Sequence, residues 1–152
     1  MPSVFEKLNL KNQTEIVVLN APASFEPELA SLANVSVMRE IEAVAEVSFS
    51  LAFVTKQDEL DAIAARVAAK TQGDAVVWFA YPKGSSKQYT CEFNRDTGWD
   101  ALGEAGFEPV RQVAIDEDWS ALRFRRVEFI KSMKRDPSRA SSREGKKRTS
   151  AR

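Results

Sequence analysis

AVVWFAYPKGSSK, residues 75–87, is the stretch whose reading decides the fold. Its first seven residues are apolar, β-branched or aromatic and carry no charge, the composition of a short buried strand. Pro82 ends the run. Lys83, Gly84, Ser85, Ser86 and Lys87 then gather two cations, two hydroxyls and a glycine at the carboxyl end of a central strand. Ligands of open α/β sheets sit in the crevice outside those ends.

Working outward, residues 55–72 read as the best helix of the chain. Leu60, Ile63 and Val67 make one apolar stripe, Thr55 and Asp58 resemble a capping box, and Gly73 supplies the stop. Residues 47–55, VSFSLAFVT, alternate as a strand. Further upstream, residues 15–20 form a compact buried strand, residues 22–32 a helix with Phe25, Leu29 and Leu32 on one side, and residues 35–38 a short second strand. Residues 40–46 are an acidic connector, and residues 1–13 a lead-in whose Val4, Phe5, Leu8 and Leu10 make one turn of helix.

Downstream, residues 89–94 read equally as extended chain or loop. A short helix through Trp99, Leu102 and Ala105 is capped by Asp96 or Thr97 and closed by Gly106. Residues 109–115 and 120–127 are two strands joined by the acidic turn Asp116-Glu117-Asp118, hence an antiparallel hairpin. Strand–helix–strand alternation gives a doubly wound α/β domain over residues 1–130, with a mainly parallel sheet of order 2-1-3-4 and the hairpin beyond strand 4. The layout resembles a reduced form of the Rossmann-like and methyltransferase-like sheets.

Composition narrows the chemistry. The 152 residues include no histidine and one cysteine, Cys91. Ser-His-Asp and Cys-His nucleophilic sites, His-ligated zinc and Cys-rich metal centres are therefore excluded. Nothing adjacent to Cys91 marks a lowered pKa, so it reads as an inert small residue. The first glycine is Gly73, so the turn after the first strand, Asn20-Ala21-Pro22, is no G-x-G-x-x-G cradle, and PKGSSK lacks the first glycine of a Walker loop. No cofactor and no metal site is expected; the acidic run 116–118 is a turn. The amino terminus lacks a basic-then-apolar leader and no stretch is long enough to span a bilayer, so a cytoplasmic protein without membrane contact is expected.

The balanced charge, 22 basic and 22 acidic residues, hides an asymmetry. Nine of the basic but only two of the acidic residues lie in 131–152, leaving thirteen against twenty in residues 1–130. An acidic globule carries a basic, serine-rich tail that cannot bury enough surface to order itself.

The block PKGSSKQYTCEFNRDTGWDALGEAGFEPVRQVAIDEDWSALRFR resembles a family of short bacterial proteins known only as a domain of unknown function. The resemblance extends over residues 15–127. It implies an α/β fold and no particular reaction.

Three functions from different classes follow. The first is binding of a small anionic ligand by Lys83, Gly84, Ser85, Ser86 and Lys87, with Arg95 on the rim and Asn20 and Lys56 at the switch point between strands 1 and 3. The second is a transferase-like enzyme on an anionic substrate, with Lys83 or Lys87 as electrostatic catalyst. The third is an interaction protein whose tail meets nucleic acid. Each feature also has a plain structural explanation: a solvated turn for 83–87, helix capping for Asp96 beside Arg95, and protection of a sheet edge by Arg123 and Arg125. Deleting residues 134–152 should leave the melting temperature nearly unchanged; a loss of several degrees in thermal unfolding would show that the tail docks.

Overall fold

A computed structural model describes residues 4–11, 13–93 and 97–130. The basic tail and Arg95, with its neighbours Asn94 and Asp96, lie outside the described residues. Six strands form one sheet: β1 (Glu15–Leu19), β2 (Ser36–Met38), β3 (Val47–Phe53), β4 (Thr71–Pro82), β5 (Phe107–Ala114) and β6 (Trp119–Arg126). Their order is β2-β1-β3-β4-β6-β5. The first four strands pair in parallel, and β6 joins β4 and β5 antiparallel. This is the expected doubly wound sheet, with the hairpin beyond the fourth strand. The strand inserted next to β4 is β6, so Arg123 and Arg125 lie on an inner strand and guard no edge; β5 is the edge.

The central strands are buried on both faces, which is why they read as continuous apolar runs. Val77, Phe79 and Tyr81 on β4 pack with Leu60, Ile63, Ala64 and Val67 of α3 (Gln57–Lys70). Val76, Trp78 and Ala80 face the other way, toward Val4, Phe5 and Leu8 around α1 (Val4–Lys7) and toward Phe25 and Leu29. The fully buried Trp78 donates its indole N–H to the Leu8 carbonyl at 2.7 Å, which fixes the amino-terminal segment on this face. Phe49 and Phe53 belong to this second layer, whereas Ile63, Val67, Val77 and Phe79 belong to the first.

Several element ends differ from the sequence reading. The connection after β1 is a 3₁₀ turn, Ala23–Phe25, followed by only five residues of helix, α2 (Glu26–Ala30). Lys56, not Thr55, is the first flanking residue of α3, and Asp58 makes no cap; Glu59 accepts the Thr55 amide at 2.9 Å instead. Glu59 is three residues beyond Lys56, where a carboxylate reaches back over the first turn. Gly73 does not stop the helix. α3 ends at Lys70 and β4 begins at Thr71, with Gly73 at φ +58° in the irregular stretch before Val76. The fourth helix, α4 (Asp100–Glu104), starts from Trp99.

Phe79 is fully buried and Ser48 is exposed on a neighbouring strand. Phe79→Ala should cost about 3–5 kcal/mol, and Ser48→Ala less than about 0.5 kcal/mol. Equilibrium denaturant unfolding of the two variants checks the assignment of the faces.

Candidate functional site

The chain runs outward from β1 to β2 in one direction and from β3 to β4 in the other, so the switch point lies between β1 and β3. A cleft of about 390 Å³ opens beside it, at the carboxyl ends of β1 and β2. Leu19 and Asn20 supply its β1 side, Arg39, Glu40, Ile41 and Glu42 its β2 side, and Ile63 and Arg66 the flank of α3.

The cleft follows from a short crossover. Parallel strands are usually joined by a dozen or more residues that include a helix. Residues 39–46, between β2 and β3, contain only the 3₁₀ turn Ile41–Ala43. Ile41 and Val44 pack down into the α3 layer, and Lys70 in the last turn of α3 donates to both of their carbonyls, at 3.0 and 2.7 Å. A full crossover helix would cover β1 here; the short turn leaves space between itself and α3.

Asn20 shapes the other wall. It takes φ +58°, the left-handed conformation that asparagine tolerates better than most residues. Its side-chain amide points to the Phe53 carbonyl at the end of β3, at 3.4 Å. The gap between β1 and β3 is thus bridged by a side chain, and the open space lies on the β2 side.

The cleft holds charges of both signs. Arg39 closes two parallel bonds onto Glu26 in α2, at 2.8 and 2.9 Å. This contact holds the Glu26 carboxyl below its usual range and raises the Arg39 guanidinium. Arg66 and Glu42 pair loosely at 3.8 Å, both well exposed. Glu40 has no side-chain partner among the described residues, so its carboxylate is available to a ligand.

The residues singled out in the sequence fall into three groups. Asn20 lines the cleft. Lys56 is exposed at the start of α3, but the donors there are already answered by the chain's own carboxylates: Gln57 N donates to Glu92 at 2.8 Å and Thr55 N to Glu59. Glu92 and Gly98 lie against this helix end, and Gly98, at φ +96°, packs so closely that a Cβ would lie 2.6 Å from Phe93 and 2.7 Å from the Gln57 side chain. Arg95 lies outside the described residues.

The third group, residues 83–87, forms a turn tied to the hairpin. Ser86 N donates to the Lys83 carbonyl, and Lys83 N donates to the Asp118 carbonyl. The Ser86 hydroxyl donates to the Asp118 carboxylate at 2.9 Å and accepts the amides of Gln88 and Tyr89. Gly84, Ser85 and Lys87 are exposed, and Gly84 does not take a left-handed backbone. The loop expected to bind an anion thus spends part of its donor set on the chain itself. Two of its amides and one hydroxyl are used internally, the hydroxyl on the Asp118 carboxylate, and Gly84 has no special conformation to protect.

Among the described residues no group of three or more Cys, Asp or Glu side chains is placed to hold a metal ion; Asp116 instead accepts the amides of Asp118 and Trp119 at the hairpin turn. Burial pushes the Cys91 thiol above its ordinary value, as expected of an inert residue. No helix among the described residues is long and apolar enough to cross a membrane. Arg39, Glu40, Glu42 and Arg66 escaped the sequence reading, which took residues 40–46 as a plain connector. Their signal was position: they follow the second strand at the carboxyl edge or face it from the best helix.

No known family model and no curated protein matches the sequence. Solved structures do share the fold. A SAM-dependent methyltransferase from Aquifex aeolicus superposes with a TM-score of 0.55 over 82% of this chain and 88% of that one, at 14% identity. Magnesium protoporphyrin IX methyltransferase from Synechocystis, solved with bound SAM, gives 0.53 over 82% and 76%, at 12% identity. The chain has the Rossmann-like, methyltransferase-like fold.

The loop geometry makes a direct prediction. Ser86→Ala removes bonds to Asp118 and to two amides and should destabilise by about 1–2 kcal/mol. Gly84→Ala, whose Cβ would meet nothing within 4 Å, should stay within about 0.5 kcal/mol of wild type. Urea unfolding of both variants reads the difference.

Proposed function

We propose that this chain is a transferase-like binding protein that takes a nucleoside-type ligand without phosphate groups in the cleft beside Asn20. The observation that carries the reading is the cleft itself, at the switch-point end of a doubly wound sheet, with a volume inside the range of small-molecule sites.

The lining favours that chemistry. Leu19, Ile41 and Ile63 offer apolar surface for one face of a ring. Glu40 and Glu42 accept hydrogen bonds from hydroxyl groups such as those of a ribose, and Arg66 donates to a carboxylate. The turn after β1 has no glycine, so no backbone cradle for a pyrophosphate is built there. Two arginines and two glutamates leave the lining near neutral with both signs present, which suits a ligand of mixed or no charge better than a polyanion. S-Adenosylmethionine meets these requirements, and a structure of the same fold was solved with it bound. Asn20, Glu40 and Glu42 would hold its polar groups; when bound it supplies an activated methyl group.

The test is calorimetric titration with S-adenosylmethionine, S-adenosylhomocysteine and adenosine, against ATP and NAD as phosphate-bearing references. The adenosyl compounds should bind and ATP should bind more weakly. Glu40→Ala should weaken the adenosyl compounds about tenfold, the loss of one charge-assisted hydrogen bond. No adenosyl binding below millimolar concentration, or binding indifferent to Glu40→Ala, would remove this reading.

A further inference from the structure

The face of the β5–β6 hairpin turned away from α3 carries three arginines. Arg111 on β5 stands directly opposite Arg123 on β6, and Arg125 follows two residues along the same strand. Arg125 is satisfied: its Nε and Nη2 close on the two Asp74 oxygens at 2.8 and 2.6 Å. Arg123 is not. It sits between Trp78 of β4 and Arg111, and its Nε is buried with no hydrogen-bond partner among the described residues.

Two features make this arrangement costly as it stands. A buried guanidinium N–H without an acceptor loses its solvation for nothing. Like charges directly opposite on paired strands repel. Burial and the neighbouring Arg125 lower the proton affinity of Arg123, Asp74 opposes them, and Arg111 adds to the lowering. The carboxylates near this face are accounted for: Asp74 is bonded to Arg125, and Glu108, opposite Arg125, is fully buried with an interaction of its own. Edge protection does not explain Arg123 and Arg125, because β6 is an inner strand; only Arg111 stands on the edge strand, β5.

We infer that Arg111 and Arg123 form an oxyanion site on the outer face of the hairpin, and that its ligand is a phosphoryl group. An anion between the two guanidinium ions accepts from the orphan Nε and cancels the cross-strand repulsion together. A phosphate monoester brings about two negative charges and three oxygens, which matches two guanidinium forks; a carboxylate brings one charge and two oxygens. The site is separate from the cleft beside Asn20, on another part of the sheet, and is independent of what binds there.

The experiment is calorimetric titration of the full chain at fixed ionic strength, with inorganic phosphate, a sugar phosphate and a short oligothymidylate as probes. Wild type should bind at least one of them. Arg111→Gln, an exposed position where folding is not at risk, should lose about tenfold in affinity for the probe that binds. Arg123→Lys, which keeps the charge and removes the Nε, should lose a similar factor. A preference for the monoesters assigns a free metabolite as the source, and a preference for the oligonucleotide assigns a polymer backbone. The basic tail is identical in every variant, so the difference isolates the hairpin. Equal binding by wild type and Arg111→Gln, or no binding of any probe below millimolar concentration, overturns the site.

Discussion

Two parallel strands, β3 and β4, are buried on both faces, and each face needs its own cover. The rest of the molecule is arranged by that requirement. One face is met by an amphipathic helix of fourteen residues, α3, with Ile41, Val44, Trp99 and Leu102 packed beside it. The other is met in pieces: one helical turn at the amino terminus, a 3₁₀ turn and five residues of α2. The Trp78 indole fixes the amino-terminal piece to this face. Its N–H, fully buried on the sheet, would be an uncompensated donor unless the amino-terminal segment brought a carbonyl to it. A ring cluster of Phe5, Phe25, Phe49, Phe53 and Trp119 then makes up in aromatic contact what this face lacks in helix length.

Electrostatically, the described part of the chain answers its own donors. Glu92 sits on the first turn of α3, Asp118 on Ser86, Glu26 on Arg39 and Asp74 on Arg125. With twenty acidic against thirteen basic residues in 1–130, carboxylates are in surplus and fill places that an external anion would otherwise take. Arg125 holds the Asp74 carboxyl below its ordinary value. The stability this pair contributes is therefore present above the normal aspartate pKa and fades as the pH falls through the lowered folded value. Arg123 Nε and the Trp119 indole N–H are buried without a partner among the described residues, and of the two Arg123 carries the charge that the surplus does not reach.

The fold was legible because its signals are strong and local. The run 75–82 could only be an interior strand, the Leu60, Ile63 and Val67 stripe could only be a helix face, and the acidic turn 116–118 could only join neighbours. The strand order followed from crossover handedness. What stayed hidden depended on contacts between distant residues. Glu92, thirty-five residues away, accepts an amide of α3; Asp118, thirty-two residues away, takes the Ser86 hydroxyl. A loop of lysines and serines reads as anion-seeking in sequence because its acidic partner is elsewhere in the chain. The cleft was hidden for a different reason. It comes from a missing helix between β2 and β3, and an absent element leaves no periodic pattern to read.

The junction between α3 and β4 has no loop: the helix ends at Lys70 and the strand starts at Thr71. The irregularity of the connection is confined to the stretch between Thr71 and Val76, where Gly73 takes φ +58°. The joint between helix and strand is therefore short. Arg126 reinforces it, donating to Thr71 Oγ1 and to the Ala68 carbonyl while lying over the Phe107 ring. α3, which carries one wall of the cleft, is in this way tied to β4 and, through β6, to the hairpin. The cleft at one end of the sheet and the hairpin at the other are thus connected through one short, continuous piece of chain.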